Sequence, residues 1–308
     1  METKTTLRPS PTALLNPRSD PAFKAIFTQG TEQSELALKS FLSAMIGRTV
    51  VSFILQPNEP AVDSTNQKQM SFDVSVTFDD GELADIEMQR QNKEENFGIR
   101  SEGQAARLLN SIVRKSNDWN LKKVYQISIL DFEYDKDDNS VLSWYTMKNA
   151  NGRNLGGRLN VIYLDLTKIR KLFDQKQIID ELKSYEKWGL FFAYEDDESK
   201  ASYLKRILES EKGLMAAHNT IETMSKYEDN WAQQFSYETA ILDYNTDMNN
   251  ATKKGIAIGL EQGAQQKAIE AASNLLRMKI GTPEQIAQAQ GLPLETVLKL
   301  QKEITVNA

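Results

Sequence analysis

Two short alternating stretches carry the residues best suited to chemistry. In 71–78, SFDVSVTF, the side chains of Phe72, Val74, Val76 and Phe78 point to one face of a strand. Asp73, Ser75 and Thr77 point to the other. In 83–89, LADIEMQ, Ala84, Ile86 and Met88 share one face, and Asp85, Glu87 and Gln89 share the opposite one. Asp79-Asp80-Gly81 between them reads as a three-residue hairpin loop, with glycine where a left-handed residue is wanted. Phe78 then pairs with Glu82, Ser75 faces Asp85 and Asp73 faces Glu87. Directly opposed side chains hold their Cβ atoms about 4.5–5.5 Å apart, so two carboxylates there repel unless something neutralises them. A shared Mg²⁺ would do so through hard oxygen ligands. An ordinary solvated strand face, where carboxylates sit freely in water, is the other reading. A two-residue loop would pair Asp73 with Met88 and mix the faces, so the alternation favours the longer loop.

Composition narrows the chemistry further. The 308 residues include no cysteine and one histidine, His218. Disulfides, thiol nucleophiles, cysteine-based zinc sites and iron–sulfur clusters are excluded. A serine triad would have to use His218 as its base. A site of two histidines on one metal ion cannot form within one chain. An enzyme of this composition works through carboxylates, with Mg²⁺ as the natural partner ion. The net charge of −6 does not by itself advertise nucleic acid. The first 17 residues contain three prolines and no long apolar run, and no stretch approaches the ~18 apolar residues of a membrane span. A soluble cytoplasmic protein is expected.

The elements that must position the hairpin follow from periodicity. Residues 1–17 read as a loose arm. Asp20-Pro21 reads as an N-cap with proline at the first helical position, opening a short helix through Phe23, Ile26 and Phe27. Residues 32–46 repeat apolar positions at helical spacing up to Gly47, and 50–55 form a β-branched run. A helix over 97–117 with the stripe Ala105, Leu108, Leu109 and Ile112 follows the hairpin. Strands are expected at 123–132, 141–147 and 158–165. This order predicts an α/β fold, a mixed sheet with flanking helices. From about 166 the pattern turns helical, over 176–192, 198–210 and 229–280. Gly255, Gly259 and Gly263 recur every four residues on one stripe. Residues 270–303 form a unit of helix-turn-helix size. His218 is expected at the surface, and the acidic clusters 135–138 and 195–198 are expected as solvated turns.

Three segments, SDPAFKAIF, FDVSVTFDDGELADIEMQRQ and NFGIRSEGQAARLL, resemble the Rpn family of recombination-promoting nucleases and transposase-like proteins. That family belongs to the PD-(D/E)XK nuclease superfamily, and the resemblance spans about residues 16–170. It implies a PD-(D/E)XK nuclease-like domain over 18–168, a helical extension over 169–250 and a C-terminal helical segment over 251–308. It further implies a Mg²⁺-dependent DNA endonuclease, with Asp73 and Glu87 as the metal-binding acids. The lysine position of the superfamily falls on Gln89, which orients water by hydrogen bonds but carries no charge. Arg100 on the next helix then offers the missing cation. Asp20 belongs to the first motif and reads either as an N-cap or as a ligand, and Lys24 follows on the same helix with its role open. Arg100, Gln104, Arg107, Ser111 and Arg114 form one polar stripe, and residues 90–123 hold eight basic against four acidic side chains. Arg107, Arg114, Lys93 and Gln104 are therefore expected to contact DNA phosphates, the alternative being a solvated helix face. The C-terminal helices are expected to form a homodimer. The alternative function is a catalytically weak or inactive nuclease fold that binds DNA or assembles with a partner.

Overall fold

The computed structural model describes residues 7–57, 73–91, 97–113, 119–175 and 179–306. Its centre is a six-stranded mixed sheet in the order β1-β2-β3-β4-β6-β5. The strands are β1 Phe53–Gln56, β2 Val74–Phe78, β3 Leu83–Gln89, β4 Val124–Leu130, β5 Leu142–Thr146 and β6 Leu159–Asp165. The hairpin joining β2 to β3 has the expected three-residue loop. The Phe78 amide donates to the Glu82 carbonyl at 2.8 Å, and the Gly81 amide donates to the Phe78 carbonyl at 3.0 Å. Gly81 adopts φ +81°, which a side chain would oppose. The ladder pairs Ser75 with Asp85 and Val74 with Ile86, the register read from the alternation. Strands β3, β4 and β6 run parallel, while β1 and β5 close the two edges antiparallel.

The two sheet faces differ in chemistry. One carries Val74, Val76, Phe78, Ala84, Ile86, Tyr125, Ile127 and Ile129, all buried in the main core. Helices α1 Asp20–Thr28, α2 Glu32–Ile46, α5 Ser184–Tyr194 and α7 Lys212–Met224 contribute much of the rest of that core. Aromatic rings lock these helices together, with Phe27–Phe41 at 5.2 Å, Phe41–Trp188 at 5.4 Å and Phe23–Phe192 at 5.9 Å between centroids. Each such fully buried ring is worth roughly 1.5–3 kcal/mol of transfer free energy. Helix α3, Phe97–Val113, covers the other face. Its Phe97 and Ala105 pack with Leu130, Val161 and Tyr163, and Leu108 packs with Val124. Between those apolar ends the face is polar, with Asp85, Glu87, Gln126 and Ser128 buried under Ser101 and Gln104.

Several expectations need correction. Residues 7–17 are not a loose arm. Leu15 is buried with its amide on Ser225 Oγ at 2.9 Å, and the Asn16 amide reaches Gln234 Oε1 at 2.8 Å. The helix expected over 176–192 starts later. Helix α4, Leu166–Gln175, precedes a short turn at Ile179–Glu181, and the Glu186 carboxylate accepts the Lys183 amide at 2.7 Å to start α5 at Ser184. His218 is half-buried rather than a free surface residue, and its Nδ1 pairs with the buried carboxylate of Glu195. Glu195 likewise departs from the solvated turn expected at 195–198.

By packing, the chain divides into two units, Met1–Tyr237 and Glu238–Ala308. Helices α4 to α7, with α6 at Ala201–Ser210, lie in the first unit and share its core with the sheet. Helix α8, Glu228–Arg277, begins in the first unit and ends in the second. The second unit closes α9 Pro283–Gln290 and α10 Leu294–Val306 around Ala272, Ile286, Ala287, Leu292 and Val297. No helix of the described residues is long and apolar enough to cross a membrane.

Glycine context yields a stability prediction. A Cβ at Gly213 of α7 would overlap the Ser40 side chain and approach the Leu36 carbonyl to 3.2 Å, whereas nothing lies within 4 Å of one at Gly255. Alanine gains about 1 kcal/mol over glycine within a helix, but overpacking costs roughly 1–3 kcal/mol. Gly213→Ala is expected to lower, and Gly255→Ala to raise, the stability of the unit that holds it in urea melts followed by circular dichroism.

Candidate active site

The strand alternation sends Asp85, Glu87 and Gln89 to the face beneath α3. Asp73 immediately precedes β2, and its Oδ2 accepts the Met88 amide at 3.1 Å. That bond holds the Asp73 carboxylate at the β3 terminus, beside Glu87. Glu87 is only 3% exposed. Its Oε2 accepts from Gln89 Nε2 at 2.9 Å, while the buried Oε1 has no hydrogen-bond partner. Asp85 is fully buried opposite Gln126, and neither of its oxygens is hydrogen-bonded.

Two helices reach the same end of the sheet from opposite faces. Helix α1 delivers Asp20 and Lys24, with Lys24 Nζ 2.8 Å from Asp20 Oδ1 and 3.8 Å from Asp73 Oδ1. The first turn of α3 delivers Arg100. A cleft of about 240 Å³ opens here, lined by Asp20, Asp73, Glu87, Gln89, Arg100 and Tyr237 among others. Arg18 also borders it, but its guanidinium is bound to Asp131 at 3.2 Å and to Asp196 at 3.0 Å. Tyr237, with the Arg90 guanidinium 5.5 Å from its ring centroid, escaped sequence reasoning. No periodicity or motif links a residue on α8 to a hairpin so far away in the chain.

The electrostatics follow from burial. Burial pushes Asp73 up, against the Met88 amide and the Lys24 charge. Burial, then the Asp73 charge, raises Glu87 to about 7, with Arg100, Gln89 and Gln104 opposing. Burial and the Glu87 charge push Asp85 well above the ordinary carboxylate range. Burial thus penalises charge on Asp73, Asp85 and Glu87. Among the described residues no three ligating side chains gather into one cluster. A pair suffices for Mg²⁺, which keeps several waters and takes one or two carboxylates. Asp73 together with the unpartnered Glu87 Oε1 fits that donor set.

The structure brings Asp73, Glu87, Gln89, Arg100, Asp20 and Lys24 together, sets Gln104 against Glu87 and leaves Arg107 outside the cleft lining. Asp20 is not the N-cap. Ser19 occupies that position, Asp20 is already helical, and its carboxylate bonds Lys24 instead. Gln104, expected on a DNA-facing stripe, is 3% exposed and turned to Glu87 beneath the helix. Its helical spacing matches a polar surface stripe, but here the sheet face under α3 is itself polar. Arg107 is half-buried farther along α3 and does not line the cleft. Lys93 and Arg114 lie outside the described residues.

A family model described as PD-(D/E)XK nuclease family transposase matches residues 17–251. No curated protein and no solved structure matches the chain.

The raised carboxyls make apo stability depend on pH. An acid whose folded pKa exceeds its unfolded value holds more protons when folded, so stability falls as pH rises between the two. For Glu87 that window runs from its ordinary 4.5 to about 7. Its size is on the order of 3 kcal/mol, from 1.36 kcal/mol per unit. In EDTA, urea melts should show lower stability at pH 8 than at pH 5. Glu87→Gln should flatten that slope and stabilise the protein at pH 8. An unchanged slope would remove Glu87 from the buried acid group.

Proposed function

We propose, for a chain that belongs to the PD-(D/E)XK nuclease family transposases, a Mg²⁺-dependent DNA endonuclease activity centred on Asp73 and Glu87. One observation carries this reading. The hairpin register and the Met88 amide set two carboxylates side by side at a cleft, one of them with a buried oxygen that bonds nothing. Asp73 and Glu87 would hold the ion, which when bound activates water and stabilises charge on the phosphate.

The remaining roles belong to the chain itself. The Gln89 amide donates to Glu87, which leaves its carbonyl oxygen to accept a hydrogen bond from the attacking water. Arg100, whose charge opposes the rise of both Asp73 and Glu87, would grip the scissile phosphate. Arg107 lies seven residues on, about 10.5 Å along the helix, and would bind a flanking phosphate, as would Lys93 and Arg114. Gln104 supports Glu87 from beneath rather than touching DNA. A DNA substrate agrees with a role in recombination or transposition and with a cytoplasmic location. A homodimer through the C-terminal helices is read from the Gly255, Gly259 and Gly263 stripe, where a Cβ would meet nothing within 4 Å. A second reading, a nuclease fold with weak or no turnover, is favoured by Gln89 standing where the superfamily has lysine.

Three measurements test these roles. Asp73→Asn and Glu87→Gln should each abolish plasmid nicking in Mg²⁺ while leaving the circular dichroism spectrum unchanged, and EDTA should spare the plasmid with wild-type protein. Nicking at the wild-type rate by both variants would sink the assigned pair, and DNA binding without nicking by the wild type would favour the second reading. Arg100→Ala should cut the single-turnover rate at saturating DNA by roughly 100-fold with little change in affinity. Arg107→Ala should instead weaken binding and reduce the salt slope by about 1. Equal effects from both would leave only a generic basic face. A chain ended near residue 250 should scatter light as a monomer and still nick, and a truncated dimer would refute assembly through the C-terminal helices.

A further inference from the structure

The superfamily's charged residue on the third strand is missing here, since Gln89 fills that place. The structure nevertheless holds an ammonium at the acid pair, on a different element. Lys24 Nζ sits 3.8 Å from Asp73 Oδ1 and 2.8 Å from Asp20 Oδ1. We propose that Lys24, reaching in from α1, supplies the positive charge beside the reacting phosphate and its attacking water, with Asp20 as the residue that positions it. This rests on the endonuclease reading of the same cleft.

Three features support the assignment. The first is geometric. An exposed i,i+4 pair contributes little to stability, and nothing in such a pair requires the ammonium to approach a second carboxylate. Lys24 does approach one, because the aromatic core around Phe23 and Phe27 fixes α1 against the sheet with Asp20 on the cleft lining and Lys24 Nζ 3.8 Å from Asp73 Oδ1. The second is electrostatic. Lys24 Nζ is held between the Asp20 and Asp73 carboxylates, at 2.8 Å from Asp20 Oδ1 and 3.8 Å from Asp73 Oδ1. Held there, the ammonium is assigned the role of a fixed charge, with no proton transfer of its own. The third is chemical division of labour. A guanidinium suits a two-point grip on phosphate, whereas an ammonium is a compact charge that donates to a single oxygen or water. Arg100 on the α3 wall and Lys24 beside Asp73 thus do different things. Lys24 also neutralises part of the acid pair in the absence of a metal ion, so it competes with that ion for Asp73.

The test uses the full-length chain and two readouts. One is the single-turnover nicking rate at saturating plasmid with Mg²⁺. The other is Mn²⁺ affinity by calorimetry without DNA. Lys24→Gln is expected to slow nicking about 100-fold, the usual loss of one preorganised charge or donor. It should leave DNA affinity within twofold and tighten Mn²⁺ binding several-fold, because a competing cation is gone. Adding Gln89→Lys should restore at least a tenth of the rate to Lys24→Gln and none to Arg100→Ala. Nicking by Lys24→Gln within threefold of wild type would overturn the proposal. So would unchanged Mn²⁺ affinity, or a rate loss matched by a lower melting temperature and untouched by Gln89→Lys. Absence of nicking by the wild type would instead overturn the endonuclease reading on which it stands.

Discussion

Asp73 and Glu87 repel, and the hairpin between them holds them together regardless. Gly81 at φ +81° closes the loop after three residues, and the ladder then runs through Ser75–Asp85 and Val74–Ile86. A slip of one residue would turn Glu87 to the apolar face and Met88 to the polar one. The apolar core on the first face forbids that slip, since Val74, Val76, Ala84 and Ile86 are all buried there. The repulsion is therefore a consequence of a register that burial enforces. Burial first, and then the Asp73 charge, raises the Glu87 carboxyl, and burial first raises those of Asp73 and Asp85.

The rest of the first unit arranges partial relief around this pair. Helix α1, wedged by Phe23 and Phe27 among Phe41, Trp188 and Phe192, carries Lys24 to one side. Helix α3 carries Arg100 to the other, and beneath it Gln104 faces Glu87. Neither helix satisfies Glu87 Oε1 or either oxygen of Asp85. Unsatisfied buried oxygens cost stability, and natural folds concentrate such violations at functional sites. Rigid apolar packing on one face thus supports a strained polar arrangement on the other.

Farther out, ion pairs tie the chain start to this framework. Arg18 bridges Asp131 at the end of β4 and Asp196 just after α5, and Arg170 joins the same Asp131 at 2.6 Å. The segment before α1 is held by this network and by the buried Leu15, which fixes where α1 begins. Placement of Asp20 and Lys24 consequently depends on groups that are remote in sequence.

The amino-acid sequence by itself determined the local geometry. Period-two alternation and the Asp79-Asp80-Gly81 loop specify the hairpin, its register and the facing of Ser75 and Asp85, because side-chain direction in a strand depends only on backbone pleat and turn length. The same local rules yielded the α2 boundaries and the order of strands and helices as far as β6. Tertiary structure alone decided which polar faces meet water. Gln104 and Arg107 share one helical period, yet Gln104 is buried because the sheet beneath α3 is polar at that point. Lys24 and Tyr237 come to the hairpin from α1 and α8, and His218 meets Glu195 across two helices. Those encounters arise from helix packing over long sequence separations, where spacing along the chain carries no information about distance.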